Sequence, residues 1–166
     1  MGNLTTYSPS DVIVSIAGLH TVTGYPDGVF VKIQKDTKPF EKTRAMNGEI
    51  SRIYSQDDGF RLELTLMQSS PSNNVLSVLY NVDLATRIGK FPVIIKDSKG
   101  QTNFISLTTW IEQLPDVTFS NGMELRTWVF GCADATIFVG GNDSTSAVDD
   151  AIMLGSEALP LIKQFM

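Results

Sequence analysis

The stretch Phe60–Gln68, with the sequence FRLELTLMQ, alternates apolar and polar residues more regularly than any other part of the chain. Successive side chains of a β-strand point to opposite sides of a sheet, so the three leucines of this stretch share one face. The opposite face carries Arg61, Glu63 and Thr65. The pattern predicts a strand with one face in the core and the other in water.

The segment that follows this strand has the features of a helix start. Ser70 or Ser72 can accept a backbone N–H there, and Pro71 fits a first turn because no donor is needed at that position. We expect the helix to end before Gly89. Its predicted apolar stripe consists of Val75, Leu76, Leu79, Val82 and Leu84.

Further strand-like runs lie on both sides of this strand and helix. The predicted ranges are Asp11–Ala17, Gly28–Asp36, Phe91–Lys96, Gln101–Leu107, Val117–Phe119, Glu124–Phe130 and Thr136–Val139. A long hairpin is predicted over Phe40–Ser55, where Asn47-Gly48 suits a two-residue type I′ turn. These elements predict a mainly β fold, an antiparallel β-sandwich or small barrel with one flanking α-helix.

A chain of 166 residues fits one domain with a sizeable core. We divide it into an N-terminal arm (residues 1–10), a β domain (11–141) and a C-terminal arm (142–166). The C-terminal arm begins with small polar residues and continues with helix-like apolar spacing, and it can pack on its own subunit or on a neighbour. The N-terminus lacks the basic and apolar regions of a secretory signal, so we expect synthesis in the cytoplasm without membrane anchoring.

The sequence offers few residues for catalysis. His20 is the one histidine, which leaves no second imidazole for a metal site, and we interpret it as a loop residue. We interpret the one cysteine, Cys132, as a core residue, and the pairs Asp57-Asp58 and Asp149-Asp150 as solvated residues. The net charge of −5 argues against general nucleic-acid binding. We therefore predict no enzymatic activity, no metal and no cofactor.

Several stretches between Tyr7 and Asn142 carry a family resemblance. They read YSPSDVIVSIAG, GVFVKI, MNGEISR, LTLMQSSPSNNVLS, FPVIIKDSKG, WIEQLPDVTFSNG and CADATIFVGGN. Together they resemble the tail tube proteins of contractile-tailed bacteriophages, a group long known only as phage structural proteins. The arm after Asn142 lies outside this resemblance.

The resemblance implies a hexameric ring, with rings stacked into a hollow tube inside a contractile sheath. The implied partners are further copies of the chain, the tail sheath protein, the tape-measure protein, and the baseplate and tail terminator proteins, with DNA only in transit. The implied location is the tail tube of the virion. Two alternatives stay open: a tube protein of a contractile bacteriocin or secretion machine, and a monomeric β-sandwich that binds carbohydrate through Trp110 and Trp128.

The resemblance also implies two sets of site residues. A closed sheet turns one face to the bore, and the candidate lumen-facing residues are Lys32, Gln34, Arg61, Glu63 and Thr65. A bore that passes DNA should not hold it, so we expect a negative lining, or an alternating or neutral one. The polar hairpin is expected to contact the next ring, and the candidate inter-ring residues are Arg44, Asn47, Gly48, Glu49 and Arg52.

Overall fold

The structure, a computed structural model, describes residues 8–141. A 3₁₀ turn at Pro9–Asp11 precedes nine strands and the helix α1 (Ser72–Thr86). The strands are β1 (Val12–Ile16), β2 (His20–Thr21), β3 (Val31–Lys35), β4 (Phe40–Arg44), β5 (Ile50–Tyr54), β6 (Phe60–Met67), β7 (Phe91–Asp97), β8 (Asn103–Gln113) and β9 (Leu125–Phe138). The predicted C-terminal arm, with Asp149-Asp150, and residues 1–7 of the predicted N-terminal arm lie outside the described residues.

Seven of the strands form one antiparallel sheet in the order β2-β1-β7-β8-β9-β6-β3. The strand predicted from its alternation is β6, which pairs with β3 on one side and β9 on the other. Burial along β6 alternates as predicted, with all three leucines inside. The mainly β, antiparallel class with one helix is therefore confirmed.

The hydrophobic core lies on one side of this sheet. Val14 of β1 and Leu64 of β6 belong to the same buried cluster although several strands separate β1 from β6. The sheet therefore curls around its own core, and aromatic rings fill the interior: Phe60 and Phe104 lie edge-on with their centroids 5.6 Å apart. The opposite side of each strand is left for solvent or partners.

The helix begins where the sequence indicates, but its N-cap residue is Pro71, which was expected inside the first turn, and not a serine. The Ser70 hydroxyl accepts the backbone N–H of Ser72 at 3.2 Å, and the helix ends at Thr86, before Gly89. His20 was expected in a loop but lies in β2, and its Nε2 is 2.8 Å from the Ser72 hydroxyl, which ties this short strand to the helix start. Among residues 8–141 no helix has the length and apolar character needed to cross a membrane.

The predicted apolar stripe of the helix is wrong in its second half. Leu76 is fully buried and Leu79 is half-buried, but Val82 and Leu84 are exposed. The periodicity is helical, yet only the first half of α1 lies against the sheet. Helical spacing alone does not reveal how much of a helix a sheet covers.

Two strand boundaries also differ from the predictions. The strand predicted over Gln101–Leu107 corresponds to β8, which continues past Leu107 and through Trp110. The last two predicted strands are parts of one strand, β9. Irregular pairing between Ser106 and Thr109 shifts the register of β8, so its side-chain alternation breaks without ending the strand. In β9, residues 128–132 are buried in succession, which removes the alternation altogether.

The predicted strand Val117–Phe119 is absent. These residues belong to the connection between β8 and β9, where Pro115 interrupts strand pairing. The Arg126 guanidinium donates to the Thr118 carbonyl at 3.1 Å, so a side chain takes the place of a neighbouring strand there. Arg126 is buried in this role.

The predicted hairpin is present as a separate two-stranded sheet of β4 and β5. Its turn is not of type I′, because within the turn only Gly48 has a positive φ, of 89°. The Gly48 N–H donates to the Ala45 carbonyl at 3.0 Å, and the Ala45 N–H donates to the Glu49 carbonyl at 2.8 Å. This is a three-residue loop in which glycine takes the left-handed position.

Candidate assembly surfaces

The five predicted lumen-facing residues lie together on the outer side of β3 and β6. Lys32 is opposite Glu63 and Gln34 is opposite Arg61, while Thr65 follows on β6. We call this set the polar face. The antiparallel pairing of two alternating strands brings these side chains together, since the apolar partners in both strands turn inward.

The polar face carries charges of both signs, with a small positive excess. Arg61 Nη2 lies 3.3 Å from Glu63 Oε1, and Lys32 stands across the strand from the same carboxylate. Two cations and one anion make this an alternating surface rather than a negative one. The Thr65 hydroxyl lies 3.2 Å from that of Thr127, which extends the face onto β9. Sequence reasoning missed Thr127, although its alternation with Arg126 and Trp128 could have indicated it.

A second exposed surface is apolar and covers the outer side of β1, β7, β8 and the end of β9. Ile94 pairs directly with Ile105, and both are more than two-fifths exposed. We call it the apolar outer face; its members are Ile13, Ile94, Ile105, Leu107 and Phe138. Contiguous apolar area of this kind is typical of a surface that contacts another protein. Sequence reasoning missed it because strands that are apolar on both faces are easily taken for buried ones.

The outward side of the helix is apolar as well. Val78 and Val82, one helical turn apart, form a patch that we call the helix flank, whereas the exposed Leu84 lies on another side of the helix. Beside the start of the helix, the connection between β8 and β9 exposes Phe119, whose ring centroid lies 5.8 Å from the Arg126 guanidinium carbon. A cavity of about 240 Å³ separates the helix start from this connection. The lining of this cavity is mixed: the helix contributes the polar Asn73 and Ser77, and the connection contributes apolar side chains such as Phe119.

The predicted inter-ring residues lie together in the hairpin, and every residue of β4 and β5 is exposed. The Asn47 amide lies 3.3 Å from the Glu49 carboxylate, and the Arg52 guanidinium carbon lies 4.2 Å from the Phe40 ring centroid. Lys42 stands directly opposite Arg52, and like charges in this position are unfavourable. The hairpin therefore carries a cationic face that suits an anionic partner.

The base of the hairpin is fixed by Asp57. Its carboxylate accepts the Thr37 hydroxyl at 2.6 Å and the Gly59 N–H at 2.9 Å, and the Thr37 hydroxyl is the main cause of a lowered pKa of Asp57. Lys35 donates to the Asp57 carbonyl at 2.9 Å. Asp57 is therefore more than the solvated residue that the sequence indicated, whereas Asp58 is exposed as expected.

Reactive groups are scarce in the described part of the chain. Residues 8–141 contain no cluster of three or more His, Cys, Asp or Glu side chains that could hold a metal ion. Cys132 is buried as predicted, and this burial raises the pKa of its thiol. The Thr109 hydroxyl lies 3.6 Å from its sulfur. A buried thiol with a raised pKa is a poor nucleophile.

Comparison with known proteins gives the family. No protein-family model matches the sequence. Structural protein ORF10 of Pseudomonas phage KPP10 is 30% identical over 152 residues, which cover 87% of this chain and 88% of that protein. The chain belongs to the family of this phage structural protein. This membership confirms the prediction of a phage structural protein.

The fold of the present chain is similar to that of chains from contractile injection systems. A chain of the anti-feeding prophage cap (AFP tube terminating cap) matches with a TM-score of 0.57 and 14% identity, covering 84% of this chain and 95% of that one. A chain of the PVC sheath/tube terminator in the extended state gives a TM-score of 0.57, 13% identity, and coverage of 83% and 100%. A chain of the PVC sheath-tube complex in the extended state matches with a TM-score of 0.54 and 14% identity, covering 81% of this chain and 99% of that one.

Proposed function

We propose that this phage structural protein is a tail tube subunit that forms stacked hexameric rings around the channel for genome delivery in a contractile tail. The polar face is the observation that carries the proposal. It is a polar surface of mixed charge on the last two strands at one end of a sheet whose other side is core. A sheet that lines a water-filled bore needs such a surface.

The position of β3 at the end of the sheet supports closure between subunits. Within residues 8–141, β3 pairs with β6 on one side and with no strand on the other. An unpaired edge can pair with another chain, and a ring of subunits that continues the sheet removes such edges. In this arrangement the polar face of each copy continues into that of the next.

The apolar outer face and the helix flank supply surfaces for the remaining contacts. We infer that they contact neighbouring copies and the surrounding sheath protein, and that the hairpin contacts the next ring. The tape-measure, baseplate and tail terminator proteins complete the proposed partners, with DNA only in transit. The Arg61–Glu63 pair suits DNA passage, because a cation that is already paired holds phosphates less strongly than a free one.

A tube terminator is a second candidate. It is supported by two of the structural neighbours, which are chains of a tube terminating cap and of a sheath/tube terminator. In this role the chain would end the tube instead of extending it. The similarity to a phage protein favours a tail that delivers a genome over a bacteriocin or secretion machine.

The carbohydrate-binding alternative loses its main support. Trp128 is buried, and its indole N–H donates to the Asn73 side-chain oxygen at 2.9 Å. A sugar-stacking platform needs exposed rings. The Trp110 ring packs closely against Gly131. A Cβ added to Gly131 would lie only 2.7 Å from the ring.

Electron microscopy of the purified chain over a range of concentrations tests the proposal. A tube protein is expected to form hollow tubes of stacked rings with sixfold symmetry. Single rings that never stack would support the terminator in its place. A monomer at every concentration, by sedimentation as well as microscopy, would overturn both candidates.

A further inference from the structure

The cavity beside the helix start contains a buried cation without an anionic partner. Arg126 lines this cavity and is only 8% exposed. Its Nη2 donates to the Thr118 carbonyl at 3.1 Å and its Nη1 to the Leu125 carbonyl at 3.3 Å, but no ion pair among residues 8–141 includes Arg126. Glu124, two residues away in sequence, instead accepts hydrogen bonds from two hydroxyls of the connection. Buried charges in proteins are normally paired, so this cavity is suited to a carboxylate.

The side of the cavity formed by the connection between β8 and β9 is apolar. Leu114, Val117 and Phe119 line it and are exposed, and we call these three residues the cavity rim. Its volume of about 240 Å³ is below the roughly 300–1,000 Å³ of typical small-molecule sites, so it fits a single side chain better than a free ligand. An apolar rim that excludes water strengthens an ion pair inside it.

The charges around the cavity are opposite to those of the hairpin. Residues 111–126, which we call the cavity end, carry three exposed carboxylates, Glu112, Asp116 and Glu124, and Arg126 as their one cation. The hairpin carries three cations and two carboxylates. The cavity end is therefore net negative and the hairpin net positive. Opposite net charges favour the encounter of two such surfaces.

The tip of the hairpin carries a carboxylate that matches the cavity. Glu49 lies at the end of the turn, between Met46 and Ile50, which are both exposed. Its carboxylate lies 3.3 Å from the Asn47 amide and has no ion pair among residues 8–141. A carboxylate with apolar neighbours is complementary to an arginine behind an apolar rim.

The hairpin and the cavity lie at opposite ends of β6. This strand starts at Phe60, shortly after the hairpin ends at Tyr54, and Gln68, which directly follows the strand, lines the cavity. Eight residues of strand span about 26 Å. A contact between the hairpin of one copy and the cavity of another is therefore head to tail. Such a contact can repeat from one copy to the next, as a stack of rings requires.

We propose that the hairpin of one copy docks on the cavity end of a copy in the next ring, with Glu49 paired to Arg126. This contact rests on the proposed stacking of rings, and it names the surface that receives the hairpin. The cavity rim covers the apolar side chains of the tip, and the carboxylates of the cavity end lie near the cations of the hairpin. Glu49 supplies the anion that the buried guanidinium lacks.

Disulfide formation between two different chains tests this contact. One full-length chain is ¹⁵N-labelled and carries Glu49→Cys, and the other is unlabelled and carries Val117→Cys or Phe119→Cys on the cavity rim. Leu19→Cys is the matched control, because Leu19 is also exposed but does not line the cavity. The native Cys132 is buried and should not compete.

The two chains are assembled together and oxidised, and links between labelled and unlabelled chains are counted by mass spectrometry. We expect at least one rim cysteine to link to the cysteine at position 49 roughly tenfold more than the control cysteine at position 19 does. Equal linkage at the rim and at the control position would overturn the proposed contact.

Charge reversal at the tip is an independent test. Glu49→Lys places two cations together, so we expect the chain concentration needed for tube formation to rise about tenfold or more. Glu41→Lys is the matched control, because it makes the same charge change at the base of the hairpin, and it should change this concentration by less than about threefold. The double variant Glu49→Lys/Arg126→Glu restores a pair of opposite charges and should recover most of the loss, provided that circular dichroism shows a folded chain.

The outcomes separate this contact from the proposed function. Tubes that form from Glu49→Lys at the wild-type concentration would overturn the contact and leave the tube itself standing. Wild-type chains that form neither tubes nor links would overturn both. Since Arg126 is buried, a double variant that does not fold leaves the decision to the Glu49→Lys chain and the disulfide links, which do not alter Arg126.

Discussion

Replacing Gly48 by valine separates the role of the hairpin in assembly from its role in folding. Gly48 has a φ of +89°, and a Cβ added to it meets nothing within 4 Å. The cost of the substitution is therefore backbone strain rather than a clash. A left-handed conformation costs a residue with a side chain about 1–2 kcal/mol.

This strain is large for the hairpin and small for the domain. An isolated two-stranded hairpin is marginally stable, and about 1–2 kcal/mol shifts a two-state equilibrium by a factor of roughly 5–30. Strands β4 and β5 are exposed throughout and pair only with each other, so the hairpin can open locally. We expect the free energy of global unfolding to change by less than about 0.5 kcal/mol.

Three measurements follow the Gly48→Val variant. Hydrogen exchange of the hairpin amides should accelerate by the same factor of roughly 5–30, urea unfolding should keep its midpoint, and tube formation by electron microscopy should be lost. Gly18→Val is the matched control, because Gly18 also has a positive φ, of 68°, and open space around it. Gly18 lies in the turn between β1 and β2 of the main sheet, so this variant should unfold at lower urea but still assemble.

Two outcomes would refute this reasoning. Tubes of normal length from Gly48→Val would show that the ordered hairpin is not needed for ring stacking. A loss of global stability equal to that of Gly18→Val would show that the hairpin is part of the main folding unit.

Two further predictions concern the core. Leu64→Ala should lower the free energy of unfolding by about 2–5 kcal/mol because the side chain is fully buried, whereas Thr65→Ala on the outer side should change it by less than about 1 kcal/mol in the same urea titration. The Tyr25 hydroxyl is buried without a hydrogen-bond partner among residues 8–141, and burial raises its pKa to about 12. In the unfolded chain the Tyr25 hydroxyl ionises near pH 10. The free energy of unfolding should therefore fall as the pH rises from about 10 to about 12. Tyr25→Phe should lose less stability over this range, and an equal loss in both proteins would contradict the assignment.

The sequence predicts strands best where each strand has one buried and one wet side. β6 and β3 have this character, so their alternation predicts both the strands and the five residues of the polar face. β9 does not, because Val129 and Gly131 are buried along with the other three residues of the stretch 128–132. Alternation disappears there, and the sequence splits one long strand into two.

Contacts between distant segments explain the other differences. The connection before β9 is held by the Arg126 side chain, and no local pattern predicts that an arginine will be buried against the carbonyl of Thr118. The short strand β2 depends on its pairing with β1 and on the contact of His20 with Ser72, 52 residues away. The turn of the hairpin was predicted from Asn47-Gly48, but the loop length was set by the pairing of Ala45 with Glu49.

The outer side of the sheet combines two chemistries that call for different surroundings. Ile94 and Ile105 stand side by side on one part of it, and burying such apolar area contributes about 25 cal/mol per Å². The Arg61–Glu63 pair lies on the other part, and covering it costs desolvation that a single ion pair does not repay. A partner that covered the whole outer side would gain on one part and lose on the other. An arrangement that covers the apolar outer face and leaves the polar face in water gains on both, and a ring around a water-filled bore has this geometry.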